Sequence, residues 1–373
     1  MKYYIIAGEA SGDLHGSNLM KGILKQDGDA NIRFWGGDLM QAVGGELVIH
    51  YKERQFMGFA EVIMNLRNIS GHIKFCKKDI ESYNPDVIIF IDNSGFNLRI
   101  AKWAKEKNYK THYYISPQVW ASRASRVEKI KRDVDAMYCI LPFEKAFYKT
   151  YNYDVQFVGH PLIDAIADRS QIDENQFRDT HNLGSKPIIA LLPGSRKQEI
   201  TKMLGVMLSL VDDYKDYQFV IAGAPSQDYE FYKGFIKQNN VSFISNKTYD
   251  LLSISNAALV TSGTATLETA LYKVPQVVCY KANAISYHIA KRIITLKYIS
   301  LVNLIMDREV VTELIQGDLN KTKLKQELNK ILNSDNREKL FMDYYELEQK
   351  LGGKGASDKA AKLIYENVLN SKN

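Results

Sequence analysis

Short apolar runs alternate with longer amphipathic stretches along the chain, and this alternation limits the folds that the sequence can adopt. In the first half it predicts strands over 2–7, 32–35, 46–49, 86–92, 110–115, 135–140 and 154–158. Helical patterns fall between these strands, for example over 13–26, 70–83 and 96–107. Strands that alternate with helices form parallel sheets covered by helices on both faces. The sequence therefore predicts an α/β fold with doubly wound sheets.

The alternation starts afresh at residue 187, and this restart predicts a second domain of the same kind. The second set of strands is predicted over 187–192, 217–222, 241–244, 257–261 and 275–280. A length of 373 residues suits about two domains. The polar stretch 166–186 places the joint near residue 165, so we expect domains over 1–165 and 166–344. Helices within 345–373 could pack back on the first domain, and the two domains would face a central cleft.

The composition is that of a soluble globular protein, with 45% hydrophobic and 25% charged residues. A net charge of +6 is too modest for a dedicated nucleic-acid binder, but it suits an anionic substrate or membrane surface. Three widely spaced cysteines disfavour a disulfide framework or a zinc site. The apolar run near residue 1 is too short for a signal peptide, and no stretch approaches roughly 18 apolar residues, so we expect a cytosolic protein that could still lie on a membrane.

The turn over 261–268 reads Thr-Ser-Gly-Thr-Ala-Thr-Leu-Glu and follows an apolar strand. Gly263 permits a close backbone approach, and the free N–H groups of the next helix attract an anion. Glu268 could accept two ribose hydroxyls. Further hydroxyls come from Ser262, Thr264 and Thr266. This combination predicts a site for a nucleotide diphosphate, although no Gly-Lys-Ser/Thr follows as in a P-loop. The alternative is an ordinary turn whose threonines cap the helix.

A second loop of the same half has similar chemistry. Gly194 and Ser195 open a helix, and Arg196 can form a two-pronged contact with a phosphate. An arginine at the positive end of a helix is electrostatically unfavourable without an anion. The two loops therefore predict that the second half binds the nucleotide diphosphate. Asn303, in an apolar setting, must find a backbone or ligand partner.

In the first half, Asp92 ends a predicted strand, where its carboxylate could take a proton from an attacking hydroxyl. The alternative is that Asp92 only caps the next helix. The turn after the first strand contains Glu9 and Ser11, which are candidates for substrate contact or for a plain capped turn. Its glycine spacing differs from Gly-x-Gly-x-x-Gly, so a nicotinamide cofactor is disfavoured. Gln118 and Trp120 could form a contact surface for a sugar or phosphate, or Trp120 could simply pack.

Metal binding is not predicted by any pattern in the chain. Asp133 and Asp135 form an Asp-x-Asp pair, but the pair precedes a strand and lies away from the strand ends, so we interpret it as chance. We therefore expect no metal and no cofactor.

Six motifs follow one another along the chain: Ala7-Gly-Glu-Ala-Ser-Gly-Asp13, Met57-Gly-Phe-Ala-Glu-Val62, Ser116-Pro-Gln-Val-Trp120, Val158-Gly-His-Pro-Leu162, Leu192-Pro-Gly-Ser-Arg196 and Ser262-Gly-Thr-Ala-Thr-Leu-Glu268. These motifs and their order are similar to those of the bacterial lipid-A-disaccharide synthases. The chain resembles this family over nearly its whole length. The resemblance implies an inverting GT-B glycosyltransferase with two Rossmann-like domains. Such an enzyme joins UDP-2,3-diacylglucosamine to 2,3-diacylglucosamine 1-phosphate (lipid X), forms a β-1,6 linkage and releases UDP.

The resemblance also implies roles for individual residues. Asp92 matches the family's catalytic carboxylate, and Arg196 matches its phosphate-region arginine. Glu268 and Asn303 match donor-site residues. The first domain would serve the acceptor and the membrane, and the second would bind the UDP-sugar. Two positions depart from the family pattern: Val302 stands where proline is common, and Ser122 stands where tryptophan is common.

Both substrates carry acyl chains, so we expect the protein to lie on the cytoplasmic face of the inner membrane. Residues 56–64, with Arg67, Lys74, Lys77 and Lys78 nearby, combine apolar and basic side chains. Residues 285–299 do the same, and core packing is the alternative for either segment. A homodimer stays open. Two other functions also stay open: a UDP-N-acetylglucosamine 2-epimerase of the same architecture, and an inactive nucleotide-sugar-binding protein at the membrane.

Overall fold

The computed structural model describes residues 1–54, 62–122, 124–283 and 297–371. The chain forms two compact units. The first contains Met1–Asp168 and Leu351–Asn373, and the second contains Arg169–Lys350. None of the described helices is both long enough and apolar enough to cross a membrane.

The first unit is built on a parallel sheet in the order β3-β2-β1-β4-β5-β6-β7. Its strands are β1 (Lys2–Ala7), β2 (Asn31–Gly36), β3 (Glu46–His50), β4 (Val87–Ile91), β5 (Thr111–Tyr114), β6 (Ala136–Cys139) and β7 (Gln156–Phe157). Every residue of β4 is buried, as expected for a strand covered on both faces.

The second unit repeats this arrangement in a parallel sheet of order β10-β9-β8-β11-β12-β13. Its strands are β8 (Ile188–Leu192), β9 (Gln218–Gly223), β10 (Val241–Ser245), β11 (Ser255–Thr261), β12 (Gln276–Tyr280) and β13 (Glu313–Ile315). The predicted strands are confirmed with small shifts at their ends. The sequence analysis missed β13, since three residues are too few to show a pattern.

The described helices cover both faces of the two sheets. They are α1 (Ala10–Gln26), α2 (Asp38–Val43), α3 (Val62–Tyr83), α4 (Ser94–Glu106), α5 (Val119–Ser122), α6 (Val127–Asp133), α7 (Pro142–Lys149), α8 (Pro161–Ala167), α9 (Glu174–Thr180), α10 (Lys197–Leu208), α11 (Tyr229–Lys233), α12 (Thr248–Ser253), α13 (Thr264–Leu271), α14 (Leu301–Met306), α15 (Lys321–Leu332), α16 (Ser334–Lys350) and α17 (Ala356–Asn370). The predicted α/β class with two Rossmann-like, doubly wound domains is confirmed.

Strand order fixes where each unit can bind a ligand. In the first sheet the order reverses between β1 and β4, and in the second between β8 and β11. At such a point the loops at the carboxyl ends of the two strands lead to opposite faces of the sheet and leave a crevice between them. The crevices therefore form after β1 and β4 in the first unit, and after β8 and β11 in the second.

The last helix, α17, packs on α1 of the first unit. A Cβ on Gly22 would lie 2.8 Å from the Cβ of Ala361. Lys25 forms an ion pair of 2.7 Å with Asp358 at the same contact. The carboxylate of Asp164 accepts the backbone N–H of Gly355 at 2.6 Å, just before the helix begins. These contacts hold the C-terminal segment to the first unit, whereas α16 belongs to the second.

We expect Gly22→Ala to destabilise the first unit relative to Gly71→Ala. Both glycines lie inside helices, but a Cβ at Gly71 would meet no atom within 4 Å. Both substitutions therefore gain the same helix propensity. The difference in stability between the two variants then reports the overpacking at Gly22, which costs about 1–3 kcal/mol. Thermal unfolding should place Gly22→Ala several degrees below Gly71→Ala, at about 2–4 °C per kcal/mol. Equal midpoints would show that the helices can separate without cost.

Candidate functional site

In the second unit, the loops after β8 and β11 line a single pocket of about 450 Å³ at the point of strand-order reversal. The pocket brings together most of the residues that the sequence analysis selected in this half: Gly194, Ser195, Arg196, Ser262, Gly263, Thr264 and Glu268. Thr248, at the start of α12, also lines it and was not predicted. Two segments almost 70 residues apart in sequence thus form one concave surface.

The loop after β8 holds Arg196 beside the first turn of α10. Gly194 has a φ of +108°, and a Cβ there would lie 2.8 Å from Oε2 of Glu199. Arg196 occupies the N-cap of α10 without a capping bond, and 82% of its side chain is exposed. Its Nη1 lies 3.2 Å from Oε1 of Glu199, which partly offsets the positive charge. The Arg196 guanidinium and the N-terminus of the twelve-residue helix α10 therefore both contribute positive electrostatic potential to the pocket.

The turn after β11 presents the N-terminus of α13. Gly263 is its N-cap with a φ of +135°, a conformation that other residues rarely adopt. No atom lies within 4 Å of a Cβ built on Gly263, so the surface in front of it is open. Thr264 is exposed in the first turn. The N–H of Thr266 donates to the carbonyl of Gly263 at 3.1 Å, but the start of α13 before it faces open space that an anionic ligand can reach.

Thr266 has a different position from the other predicted hydroxyls. Its side chain is completely buried, and its hydroxyl donates to the carbonyl of Gly263 at 2.8 Å. The Ser262 hydroxyl likewise donates to the carbonyl of Ile299, at 2.8 Å. These hydroxyls donate to backbone carbonyls and hold the turn in shape, but no side chain caps α13, so the alternative that the threonines cap this helix is wrong.

Asn303 is buried in α14 and does not line the pocket. Its Nδ2 donates to the carbonyl of Val311 at 2.8 Å and to Oε1 of Glu313 at 2.9 Å. Its Oδ1 accepts the backbone N–H groups of Val310 and Val311. Of the two partners predicted for this amide, backbone or ligand, the structure shows the backbone together with Glu313.

Glu268 lies one turn into α13 and lines the pocket. Its Oε1 accepts a hydrogen bond of 2.8 Å from the hydroxyl of Tyr249. Burial raises the pKa of the Glu268 carboxyl, and the Tyr249 hydrogen bond opposes that rise by stabilising the carboxylate. The sequence analysis missed Tyr249, because a tyrosine in a short helix gives no signal of its contact with a turn further along the chain.

In the first unit, Asp92 directly follows β4 in the left-handed region, with a φ of +44°, and Asn93 has a φ of +42°. The carbonyl of Asp92 accepts hydrogen bonds from Nδ2 of Asn97, at 2.8 Å, and from the hydroxyl of Tyr113. The N-cap of α4 is Asn93, so the alternative that Asp92 caps this helix is wrong. Two successive residues with left-handed backbone conformation strain the chain at the end of this strand, and such strained residues occur most often at functional sites.

The Asp92 carboxylate lies close to the turn after β1. A Cβ on Gly8 would fall 1.9 Å from Nδ2 of Asn93, so the two loops touch. Partial desolvation by the surrounding protein raises the pKa of Asp92, although the residue keeps an exposed surface, and the negative charge of Glu9 raises it further. The N–H of Asn93 acts in the opposite direction. Asp92 and Glu9 therefore share the point of strand-order reversal in the first sheet, and Ser11 is exposed in the first turn of α1.

The loop after β5 begins with a strained residue, since the β-branched Ile115 has a φ of +66°. Gln118 is exposed on this loop. Trp120 packs edge-on against Phe143, with ring centroids 4.9 Å apart, as the packing alternative proposed. Below it lies the buried carboxyl of Glu144, whose pKa burial raises to about 7. The sequence analysis did not select Glu144.

Parts of the predicted membrane surface lie outside the described residues. This applies to 55–61 and 284–296, and hence to most of both predicted apolar segments. On the described part of α3, Phe75 is 47% exposed, and Lys74 and Lys78 are exposed beside it. Among the described residues, no group of three or more His, Cys, Asp or Glu side chains is arranged to hold a metal ion.

Solved structures with a similar fold include the UDP-GlcNAc 2-epimerase from Neisseria meningitidis bound to UDP-GlcNAc. It has a TM-score of 0.65 and 13% sequence identity, and the match covers 99% of this chain and 100% of that one. At this identity the similarity shows the fold alone.

Relatives found by sequence share much higher identity with this chain. The lipid-A-disaccharide synthase of Syntrophus aciditrophicus (strain SB) is 40% identical over 367 residues, which cover 96% of this chain and 95% of the relative. That of Geobacter metallireducens is 35% identical over 370 residues, which cover 97% and 96%. The sequence profile of the lipid-A-disaccharide synthetase family matches residues 3–367. Because these matches span nearly the entire chain, the chain belongs to the lipid-A-disaccharide synthetase family.

Proposed function

We propose that the chain is the glycosyltransferase of lipid A biosynthesis that joins UDP-2,3-diacylglucosamine to 2,3-diacylglucosamine 1-phosphate. Membership of the family supports the reaction. The structural observation that carries it is the pocket of the second unit. This pocket combines two helix N-termini, the Arg196 guanidinium and the Glu268 carboxylate, and these groups match the diphosphate and ribose of UDP.

The second unit would bind the donor and stabilise its leaving group. As the glycosidic bond to UDP breaks, its electron pair stays on the diphosphate, where negative charge develops. The N–H groups at the starts of α10 and α13, together with Arg196, stabilise that charge. Other donor contacts would come from Gly194, Ser195, Ser262, Gly263 and Thr264. Thr266 and Asn303 would act indirectly, through the backbone that they hold.

The first unit would bind the acceptor and supply the base. Asp92 takes the proton of the acceptor's 6-hydroxyl as that oxygen attacks the anomeric carbon, and the configuration there inverts. A raised pKa brings the carboxylate closer to the basicity that proton abstraction at neutral pH requires. Acceptor contacts would come from Glu9, Ser11, Gln118 and Trp120.

We also propose that the protein lies on the cytoplasmic face of the inner membrane, and the acyl chains of both substrates support a location at a membrane surface. The exposed Phe75, with the exposed Lys74 and Lys78 near it on α3, supports this location, because apolar and basic side chains together favour an anionic bilayer surface. We also propose a homodimer in which a second copy covers Met342 and Tyr345, which are 70% and 56% exposed on α16.

Product analysis tests the reaction directly. Purified protein is incubated with UDP-2,3-diacylglucosamine and 2,3-diacylglucosamine 1-phosphate, and mass spectrometry follows the products. We expect the disaccharide 1-phosphate and one UDP per linkage formed, and no change in UDP-N-acetylglucosamine supplied alone. Epimerised UDP-N-acetylglucosamine would support the epimerase alternative instead. Binding of UDP without turnover of the authentic substrates would support the inactive binding protein.

We expect Asp92→Asn and Arg196→Ala each to lower turnover at least about a hundredfold, the scale of a lost acid–base or charge-stabilising group. UDP affinity separates their roles: it should be unchanged in Asp92→Asn and weakened in Arg196→Ala. Lys202→Ala, which removes a cation from α10 outside the pocket, is the control and should retain activity. A near-native rate in either site variant would remove that residue from the mechanism.

We expect Glu9→Gln to move the acid limb of the pH–rate profile to lower pH. The base works only when ionised, so kcat/KM falls as the pH drops through the pKa of Asp92. Burial and the charge of Glu9 both raise this pKa, and the substitution removes the second cause. Ser11→Ala, which removes no charge from the same turn, should leave the limb in place. An unmoved limb in Glu9→Gln would contradict Asp92 as the titrating base.

A further inference from the structure

We infer that Tyr249 is a positioning residue that fixes the Glu268 carboxylate for the ribose of the nucleotide. This inference rests on the proposed function, because it assumes that a uridine diphosphate occupies the pocket of the second unit. The hydroxyl of Tyr249 donates to Oε1 of Glu268 at 2.8 Å. The two residues come from different helices, α12 and α13, and the residue before Tyr249, Thr248, lines the pocket together with Glu268.

The ring of Tyr249 is itself held in place from two sides. The guanidinium of Arg169 lies 5.2 Å from its centroid, and the ring of Tyr272 lies 5.6 Å away at an interplanar angle of 30°. Arg169 donates in turn to the buried carboxylate of Asp250, at 2.5 Å. The hydroxyl of Tyr249 therefore points at Glu268 from a ring that has little freedom to turn.

The hydrogen bond from Tyr249 keeps the Glu268 carboxylate ionised and oriented, as acceptance of ribose hydroxyls requires. Burial favours the neutral form of Glu268, which is a poorer acceptor. A hydroxyl donated to Oε1 stabilises the ionised form and stops rotation of the carboxylate. Among the described residues, Tyr249 is the hydrogen-bond donor to this group, so Oε2 is left to the ligand.

The test is the binding of UDP to the full chain, measured by isothermal titration calorimetry. Tyr249→Phe removes the hydroxyl and keeps the ring between Arg169 and Tyr272. We expect it to weaken UDP binding about tenfold, the scale of one hydrogen bond to a charged group. The double variant Tyr249→Phe/Glu268→Gln should bind UDP no more weakly than Glu268→Gln alone, because the hydroxyl acts only through that carboxylate.

A second ligand separates positioning from a general structural role. The probe is 2′,3′-dideoxy-UDP, which lacks the ribose hydroxyls but keeps the base and the diphosphate. The unsubstituted chain should bind it more weakly than UDP, and Tyr249→Phe should bind it as the unsubstituted chain does. Equal losses for both ligands in Tyr249→Phe would mean that the substitution disturbs the whole pocket, and would overturn the inference.

Tyr272→Phe is the matched control, since it removes a hydroxyl from the neighbouring ring that makes no hydrogen bond to Glu268. It should keep UDP affinity within about twofold. If the unsubstituted chain prefers UDP over the dideoxy probe while Tyr249→Phe binds UDP unchanged, the inference fails and the proposed function stands. If the unsubstituted chain does not bind UDP at all, the proposed function itself fails.

Discussion

Parallel strand pairing is the constraint on which the rest of each unit depends. When all strands of a sheet run in one direction, every strand delivers its following loop to the same edge. The registers of β1 with β4 and of β8 with β11 therefore bring together turns that lie far apart in sequence. Asp92 meets Glu9 in this way in the first unit, and Arg196 meets the turn at Gly263 in the second.

Backbone conformation then decides what these loops expose. Gly194 and Gly263 have positive φ, and this turns the chain sharply so that helix N-termini face the pocket. Asp92 also has a positive φ, and this conformation strains a residue that has a side chain. Hydrogen bonds from Asn97 and Tyr113 to the Asp92 carbonyl offset the strain. A glycine would relieve the strain but would remove the carboxylate, so the strain is consistent with a chemical use of the side chain.

Much of the fold followed from the sequence because its signals are local. Buried parallel strands such as β4 and β8 are continuous apolar runs, and the polar and glycine-rich turns after them stand out directly. The short strand β13 gave no such signal, and it joins the sheet only because β12 offers an unpaired edge. Glu144, whose carboxyl is buried beneath the loop after β5, likewise could not be told from a surface glutamate by its neighbours in sequence.

The amino-acid sequence by itself determined the α/β class, the two repeats of the strand–helix pattern and the loops that carry reactive side chains. These properties depend on residues close together in the chain, which share one strand, turn or helix. Only the tertiary structure decided which polar groups face a ligand. It turned the hydroxyl of Thr266 and the amide of Asn303 inward, and it brought Tyr249 to Glu268 across 19 residues. Hydrogen bonds of this kind depend on how segments far apart in sequence pack together, and local sequence patterns do not predict that packing.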